Sequence, residues 1–498
     1  MSRSFLALGR FASIVCSLIL LSASPADAWQ SSHADSVNSN SVDVRTARAV
    51  KPMATVLLRD IAPGVNPVIA PDGTLYIGDQ RGKLMAFRPE GTLAWSREIG
   101  GFQSIMSSPA IGSDGSVYVI GTATIRDHRT NPPATSYVAE LHRFTAGGGW
   151  LWHVPIAGPH KGIVVSAPTV IQHGGSDIVL VATGRQHDGF EAYVTAFSSG
   201  GGAVLAHHKV SVLESPQVTG GADLDWSDLW DWLYPDFSVT IDAVEEYEKL
   251  PRGLSRPFPA PAVYTQAEVG IPRIYLTDRF HDLVGLDFTG TTFSELFRIR
   301  DNHRYFTTAA LVWPNGPVMV GGFYSEDAME MTFLSIAPSY TGGPVTVHRI
   351  AMPAFVTTPA SLGNSRYAVV LYNGGVSFLR GAAIEKQVDL TGQSIASAAA
   401  SRGHVFVSTV TGLYTFDKMT MKKVAEFGWA GGGVSQPVIG PQGHVYAIAQ
   451  DTLYVFPPSR IPDIPNPGPL PGITGPGELP RPGVGGSGTT SPGPLPQL

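Results

Sequence analysis

Asn66-Pro67-Val68-Ile69-Ala70-Pro71-Asp72-Gly73-Thr74-Leu75-Tyr76-Ile77-Gly78, continued by Gly82-Lys83-Leu84-Met85-Ala86-Phe87 and Gly91-Thr92-Leu93-Ala94-Trp95, decides the fold of this 498-residue chain. Each piece is a short alternating run closed by Gly-centred turn chemistry, so the whole reads as one four-stranded antiparallel sheet. A lone sheet of that size cannot bury both faces. The phrase recurs, and self-similar sheets stacked around an axis make a β-propeller.

Further copies begin near residues 108, 167, 261, 309, 358, 398 and 436. Their sum is eight; the fifth and sixth are faint, which leaves seven open. The last copy ends at Leu453-Tyr454-Val455-Phe456 and runs into Pro457-Pro458, so it lacks an outer strand. The stretch from Val56 to Ile61, inside residues 53–62, has the pattern of an outer strand. Placed in the last sheet, it closes the ring with both ends of the chain and leaves no long bare edge.

The expected organisation is a signal peptide over 1–28, a flexible leader over 29–52, the propeller over 53–456 and a disordered Pro/Gly-rich tail over 457–498. The signal rests on Arg3 and Arg10, the apolar run from Phe11 to Leu21 and the cleavage pattern Ala26-Asp27-Ala28 before Trp29. The leader is read as flexible because it is polar, Ser- and Asn-rich and aperiodic. No other segment is long and apolar enough to span a membrane, so the mature protein is expected outside the cytoplasm, periplasmic or extracellular, as a monomer.

The single cysteine, Cys16, lies within the signal. The mature chain therefore has no disulfide, thiolate ligand or cysteine nucleophile, and Val15 before Cys16 does not make a lipobox. Net charge is −6 with no basic stripe, which argues against nucleic acid. Glycine (56) and proline (40) are abundant and charged residues are few (15%), the balance of a turn-dense all-β globule.

Gly-x-Leu-x-Ala-Phe, a Gly turn and Trp, with Pro-x-(Val/Ile) opening each unit, resembles the repeats of PQQ-like β-propellers, a family that includes quinoprotein alcohol dehydrogenases and the outer-membrane assembly factor BamB. The resemblance covers about 55–456 and implies that Trp95, and Trp150 or Trp152, dock between neighbouring sheets, with Phe293 or Val345 in the slot in later copies. In the quinoproteins it implies a quinone held against adjacent cysteines and a Ca²⁺ with acidic and amide ligands. This chain has no such cysteines and no Glu, Asn and Asp set that aligns with those ligands. No cofactor, catalytic residue or metal ligand is expected.

Residues 213–258 interrupt the repeat. Trp226, Leu229, Trp230 and Leu233 recur at helical spacing behind an acidic turn with Asp225 and Asp228, and 244–250 suggests a second helical piece. Such a stripe either clamps onto the propeller or lids one mouth, leaving Trp232 and Tyr234 for a ligand. The candidate binding residues are accordingly Trp226, Trp230, Trp232, Tyr234, Asp225 and Asp228. A Ca²⁺ loop at Asp223, Asp225 and Asp228 lacks the Gly and distal Glu of an EF-hand. Adjacent strand residues His207 and His208 face opposite ways and make a poor joint ligand. Asp72 and Asp114 belong to turns.

Two readings follow. The first is an exported, non-catalytic binding or scaffolding propeller that presents loops to a protein or glycan. The second is an enzyme, either PQQ-dependent or carbohydrate-active through paired carboxylates.

Overall fold

The computed structural model describes residues 28–459, apart from 215–258 and shorter stretches of which 337–345 is the longest. The described residues form eight antiparallel sheets and contain no helix. The first sheet runs outward as Val68–Ile69, Leu75–Gly78, Lys83–Phe87 and Leu93–Glu98. The later sheets repeat that order. The second has Val117–Asp127, Ala134–Phe144 and Trp150–His160, with its innermost position shared by Ser104–Ile105 and Ala110–Ile111. Both short segments pair with Val117–Asp127, so this sheet is still a four-stranded blade with a broken inner edge. The third and fifth sheets are built likewise, on Gly162–Val165 with Thr169–His173 and on Arg304–Phe306 with Leu311–Val312.

The eighth sheet takes three strands from the end of the repeat, Val438–Ile439, Val445–Ala449 and Thr452–Phe456. Its outermost strand is Ala54–Leu57, in register as Ala54↔Val455 through Leu57↔Thr452. The outer strand expected from the N-terminal side is therefore present in this sheet, starting two residues earlier and ending four residues earlier than the sequence pattern suggested.

Middle strands are covered on both faces by neighbouring sheets, which is why Val445–Ala449 reads as a continuous apolar run and Pro272–Thr277 is buried at every position. Outer strands are covered on one face or neither, and Ala54–Leu57 alternates half-buried and exposed. Hydrogen bonds tie neighbouring sheets together. Tyr76 Oη donates to Ala146 O (3.2 Å), in the outer turn of the second sheet. Tyr446 Oη donates to Pro89 O (2.9 Å), so the eighth sheet bonds back to the first and the circle is closed.

The docking tryptophans are Trp95 and Trp152. Trp95 Nε1 donates to Ala146 O (2.9 Å) and Trp152 Nε1 to Ser199 O (3.0 Å), each in the next sheet's outer turn. Those turns carry Gly148 and Gly202 at φ of 80° and 73°, and a Cβ on Gly148 would lie 2.8 Å from the Trp95 ring. Trp150, the alternative for this slot, is 58% exposed. Phe293 packs against Phe288 of its own sheet and lies 6.3 Å from His208 of the third sheet, and Val345 lies outside the described residues.

Two expectations need correction. The segment 29–52 is not a loose leader: Trp29, Asn38, Asn40, Val42 and Val44 are buried. The interruption begins no earlier than 215, because Leu213 and Glu214 extend the strand Val204–Glu214. The helical pieces expected within 215–258, and the tail from 460, lie outside the described residues.

Deleting residues 53–58 strips the outer strand from the eighth sheet and bares the edge of Thr452–Phe456. Size-exclusion chromatography is expected to show the truncated protein as dimers or larger species, with a lower Tm than the intact chain.

Candidate functional site

A propeller's inner strands meet its axis with one edge unpaired, and buried N–H groups there need acceptors. Here the chain supplies them itself. Ile69 N donates to Trp29 O (2.7 Å), Ile111 N to Gln30 O (2.9 Å), Val263 N to Ser36 O (2.6 Å) and Val312 N to Val37 O (3.0 Å). Ser361 N then donates to Ser39 O (2.8 Å) and Ala400 N to Asn40 O (2.9 Å). These donors sit at the second residue of the innermost strand in the first, second, fourth, fifth, sixth and seventh sheets. Residues 29–40 thus pass round the axis in the same order as the sheets. The segment continues with Arg402 N donating to Val44 O and a bridge between Thr46 and Pro458, and then becomes the outer strand of the eighth sheet.

Two asparagines hold this plug. Asn38 and Asn40 have φ of 58° and 51°, a left-handed conformation that asparagine tolerates better than most residues. Asn38 Nδ2 donates to Ala260 O (3.2 Å) and Ala310 O (3.0 Å), clamping the fourth sheet to the fifth. Asn40 Nδ2 donates to Thr358 O and Pro359 O, both at 3.1 Å. Asn40 Oδ1 accepts from Gln436 Nε2 (2.5 Å) and meets His33 Nδ1 at 3.1 Å. All four hydrogen-bonding positions of the fully buried Asn40 amide are therefore in use. Asp35 Oδ1 accepts from Val37 N and Ser39 N, which folds the turn that presents these groups.

Gln436 and Asn66 carry the network to the ring's closure. Gln436 N donates to Asn66 Oδ1 (2.9 Å), and Asn66 N donates to Ser108 Oγ (2.8 Å) in the approach to the second sheet. Each residue precedes the proline that opens a copy of the repeat. Burial lowers the pKa of His33 to about 4, against the opposing hydrogen bonds to Asn40 and Gln436. It is neutral at pH 7.

A quinone in the middle of the ring, which the quinoprotein resemblance would imply, does not fit these residues. Inner strands of six of the eight sheets are bonded to residues 29–40, and Cys16 is the only cysteine of the chain. No step is derived through such a group.

A second cluster lies on the second sheet, facing the crossover from the first. Glu140 and His142 stand two apart on Ala134–Phe144 and share a face, and the register sets His153 directly opposite His142. The two imidazoles stack at 5.4 Å between centroids. His153 Nδ1 lies 3.1 Å and His142 Nε2 3.7 Å from Glu140 Oε2. Gln103 Nε2 donates to Glu140 Oε2 (2.5 Å), and its Oε1 lies 2.9 Å from His142 Nε2. Gly121 leaves room for that amide, since a Cβ there would lie 1.8 Å from Gln103 Oε1. Burial lowers the pKa of His142 to about 4, outweighing the attraction of Glu140.

Of the residues expected from sequence, Trp226, Trp230, Trp232, Tyr234, Asp225 and Asp228 lie outside the described residues. His207 and His208 face opposite ways: His207 Nδ1 meets Thr195 Oγ1 (2.8 Å), whereas His208 Nε2 lies 3.7 Å from Glu295. Asp72 and Asp114 accept from Thr74 N and Ser116 N, as turn residues do. Neither the plug nor the Glu140 cluster was expected. Their signals were the Asn-Ser-Asn run at 38–40 and the Glu-x-His spacing at 140–142.

Two predictions test the plug. Asn40→Ala removes the donors to Thr358 and Pro359 and takes one acceptor from Gln436 Nε2, which should lower unfolding free energy by about 3 kcal/mol in urea titrations; Asn40→Asp should cost at least as much, because it sets a carboxylate against two carbonyls. His33 takes up its proton near pH 6.5 when unfolded but only near pH 4 when folded. Its contribution is full above pH 6.5 and falls as pH drops towards 4, by about 1.4 kcal/mol per pH unit. The loss of Tm between pH 7 and pH 5 should be smaller in His33→Gln than in the unaltered protein.

No family model matches the chain, and no curated protein matches it. Among solved structures it is similar to BamB from Moraxella catarrhalis, at 10% identity and a TM-score of 0.51, over 82% of this chain and 99% of that one. It is also similar to the quinohemoprotein alcohol dehydrogenase from Comamonas testosteroni, at 11% identity and a TM-score of 0.56, over 88% of this chain and 82% of that one. Identities so low speak for fold alone. The chain has the fold of the PQQ-like β-propellers.

Proposed function

We propose that this protein is an exported, non-catalytic binding or scaffolding propeller of eight blades, which presents its loops to a protein or glycan partner in the cell envelope or outside the cell. The observation that carries this reading is the plug. The axis, where inner strand ends could converge on a small ligand, is bonded to residues 29–44 of the same chain, so binding is directed to the loops and outer faces. The eight sheets support the blade count. Export rests on the N-terminal signal pattern, and Trp29, first residue after the expected cleavage, is the first residue of the plug.

The insertion at 215–258 is the longest departure from the repeat and carries the aromatic residues that such a surface would use, Trp226, Trp230 and Trp232 with Tyr234. Asp225 and Asp228 give it an acidic rim. The enzyme reading has weaker support, since inner strands of six sheets are already bonded to residues 29–40.

The test is recovery of partners from envelope extract by the intact protein and by a variant with Trp226, Trp230 and Trp232 changed to Ala. At least a tenfold lower recovery by the variant is expected; equal recovery removes the insertion from the binding surface. Incubation with PQQ and Ca²⁺ should produce no dye reduction on alcohols or sugars, and turnover there would overturn the non-catalytic reading.

A further inference from the structure

Glu140, His142 and His153 have no part in the ring's closure or in the plug, yet one donor atom from each lies within 4.8 Å of the others. Donors bound tetrahedrally at about 2.0 Å stand about 3.3 Å apart. The observed separations to Glu140 Oε2, 3.1 Å from His153 and 3.7 Å from His142, bracket that value. Gln103 Oε1, 2.9 Å from His142 Nε2, adds a fourth oxygen on the same side. We propose that Glu140, His142 and His153, with the Gln103 amide, form a binding site for a divalent first-row transition ion of the zinc type.

The donor set selects the ion. Two imidazoles and a carboxylate suit Zn²⁺, Ni²⁺ or Cu²⁺, whereas Ca²⁺ and Mg²⁺ need more oxygens than the cluster offers. The framework is already in place: the imidazoles come from directly paired residues of neighbouring strands, Glu140 follows on the same face, and His142 is buried. Binding replaces the contact of His142 Nε2 with Gln103, so the imidazole proton moves to Nδ1. That atom is buried and has no partner, which weakens the site relative to one whose histidines are all held from behind. Affinity should therefore be micromolar rather than nanomolar. The half-exposed His153 leaves the ion open to solvent on one side.

The experiment is calorimetric titration of untagged, metal-stripped protein with ZnCl₂ at pH 7.5, with Co²⁺ as a spectroscopic substitute. The expected result is one Zn²⁺ per chain, a tetrahedral Co²⁺ absorption band and no uptake of Ca²⁺. His153→Ala and Glu140→Gln should each weaken binding by at least about tenfold with unchanged circular dichroism. The double variant His207→Ala, His208→Ala should bind as the unaltered protein does. Absence of Zn²⁺ uptake at submillimolar metal, or equal affinity in His153→Ala, would overturn the proposal. If His153→Ala alters the dichroism, Glu140→Gln decides by the same criterion; if both do, uptake by the unaltered protein and its Co²⁺ band decide.

Discussion

A circle of sheets creates a polar problem at its centre, because every inner strand ends with a backbone edge turned to the axis and no sheet beyond it. Such donors are strongly disfavoured when buried without partners. This chain answers with its own backbone: carbonyls of Trp29, Gln30, Ser36, Val37, Ser39 and Asn40 meet the same amide in six sheets. Because each acceptor lies on one continuous segment, the sheets are held to a common part as well as to their neighbours. Asn40 concentrates that role, with contacts that reach the approaches to the sixth and eighth sheets.

Around the rim a different interaction takes over. Tyr76 and Trp95 of the first sheet both reach Ala146 of the second, Trp152 of the second reaches Ser199 of the third, and Tyr446 of the eighth reaches Pro89 of the first. The donors are aromatic, so the same side chain seals the gap between sheets and fixes their spacing. The acceptors are turn carbonyls, and Gly148 and Gly202 in two of those turns admit the indole rings of Trp95 and Trp152.

The repeat was readable because strand alternation and turn chemistry are local: Asp72-Gly73 and Asp114-Gly115 announce their turns whatever lies far away. Even the outer strand Ala54–Leu57 could be placed, from the strand that the eighth copy lacked. The plug could not, since Ser- and Asn-rich sequence looks the same whether water or inner-strand amides satisfy it. The choice between Trp150 and Trp152 depended on a bulge, as the ladder shifts register between them. Glu140, His142 and His153 become neighbours only through strand register, which spacing along the chain does not encode. The aromatic insertion was legible as a departure from the repeat, while its residues 215–258 lie outside those described.

The path of the N-terminal segment also sets the order of assembly. Residues 29–57 are made before their partners, which extend from Ile69 to Pro458, so a segment made early is among the last to reach its final place. Contacts of such separation form slowly, and until they do the inner edges and the flank of the final sheet stay open to foreign strands. Completion is thereby tied to synthesis through Pro458: a chain that stops short of it can fold individual sheets but cannot lock them.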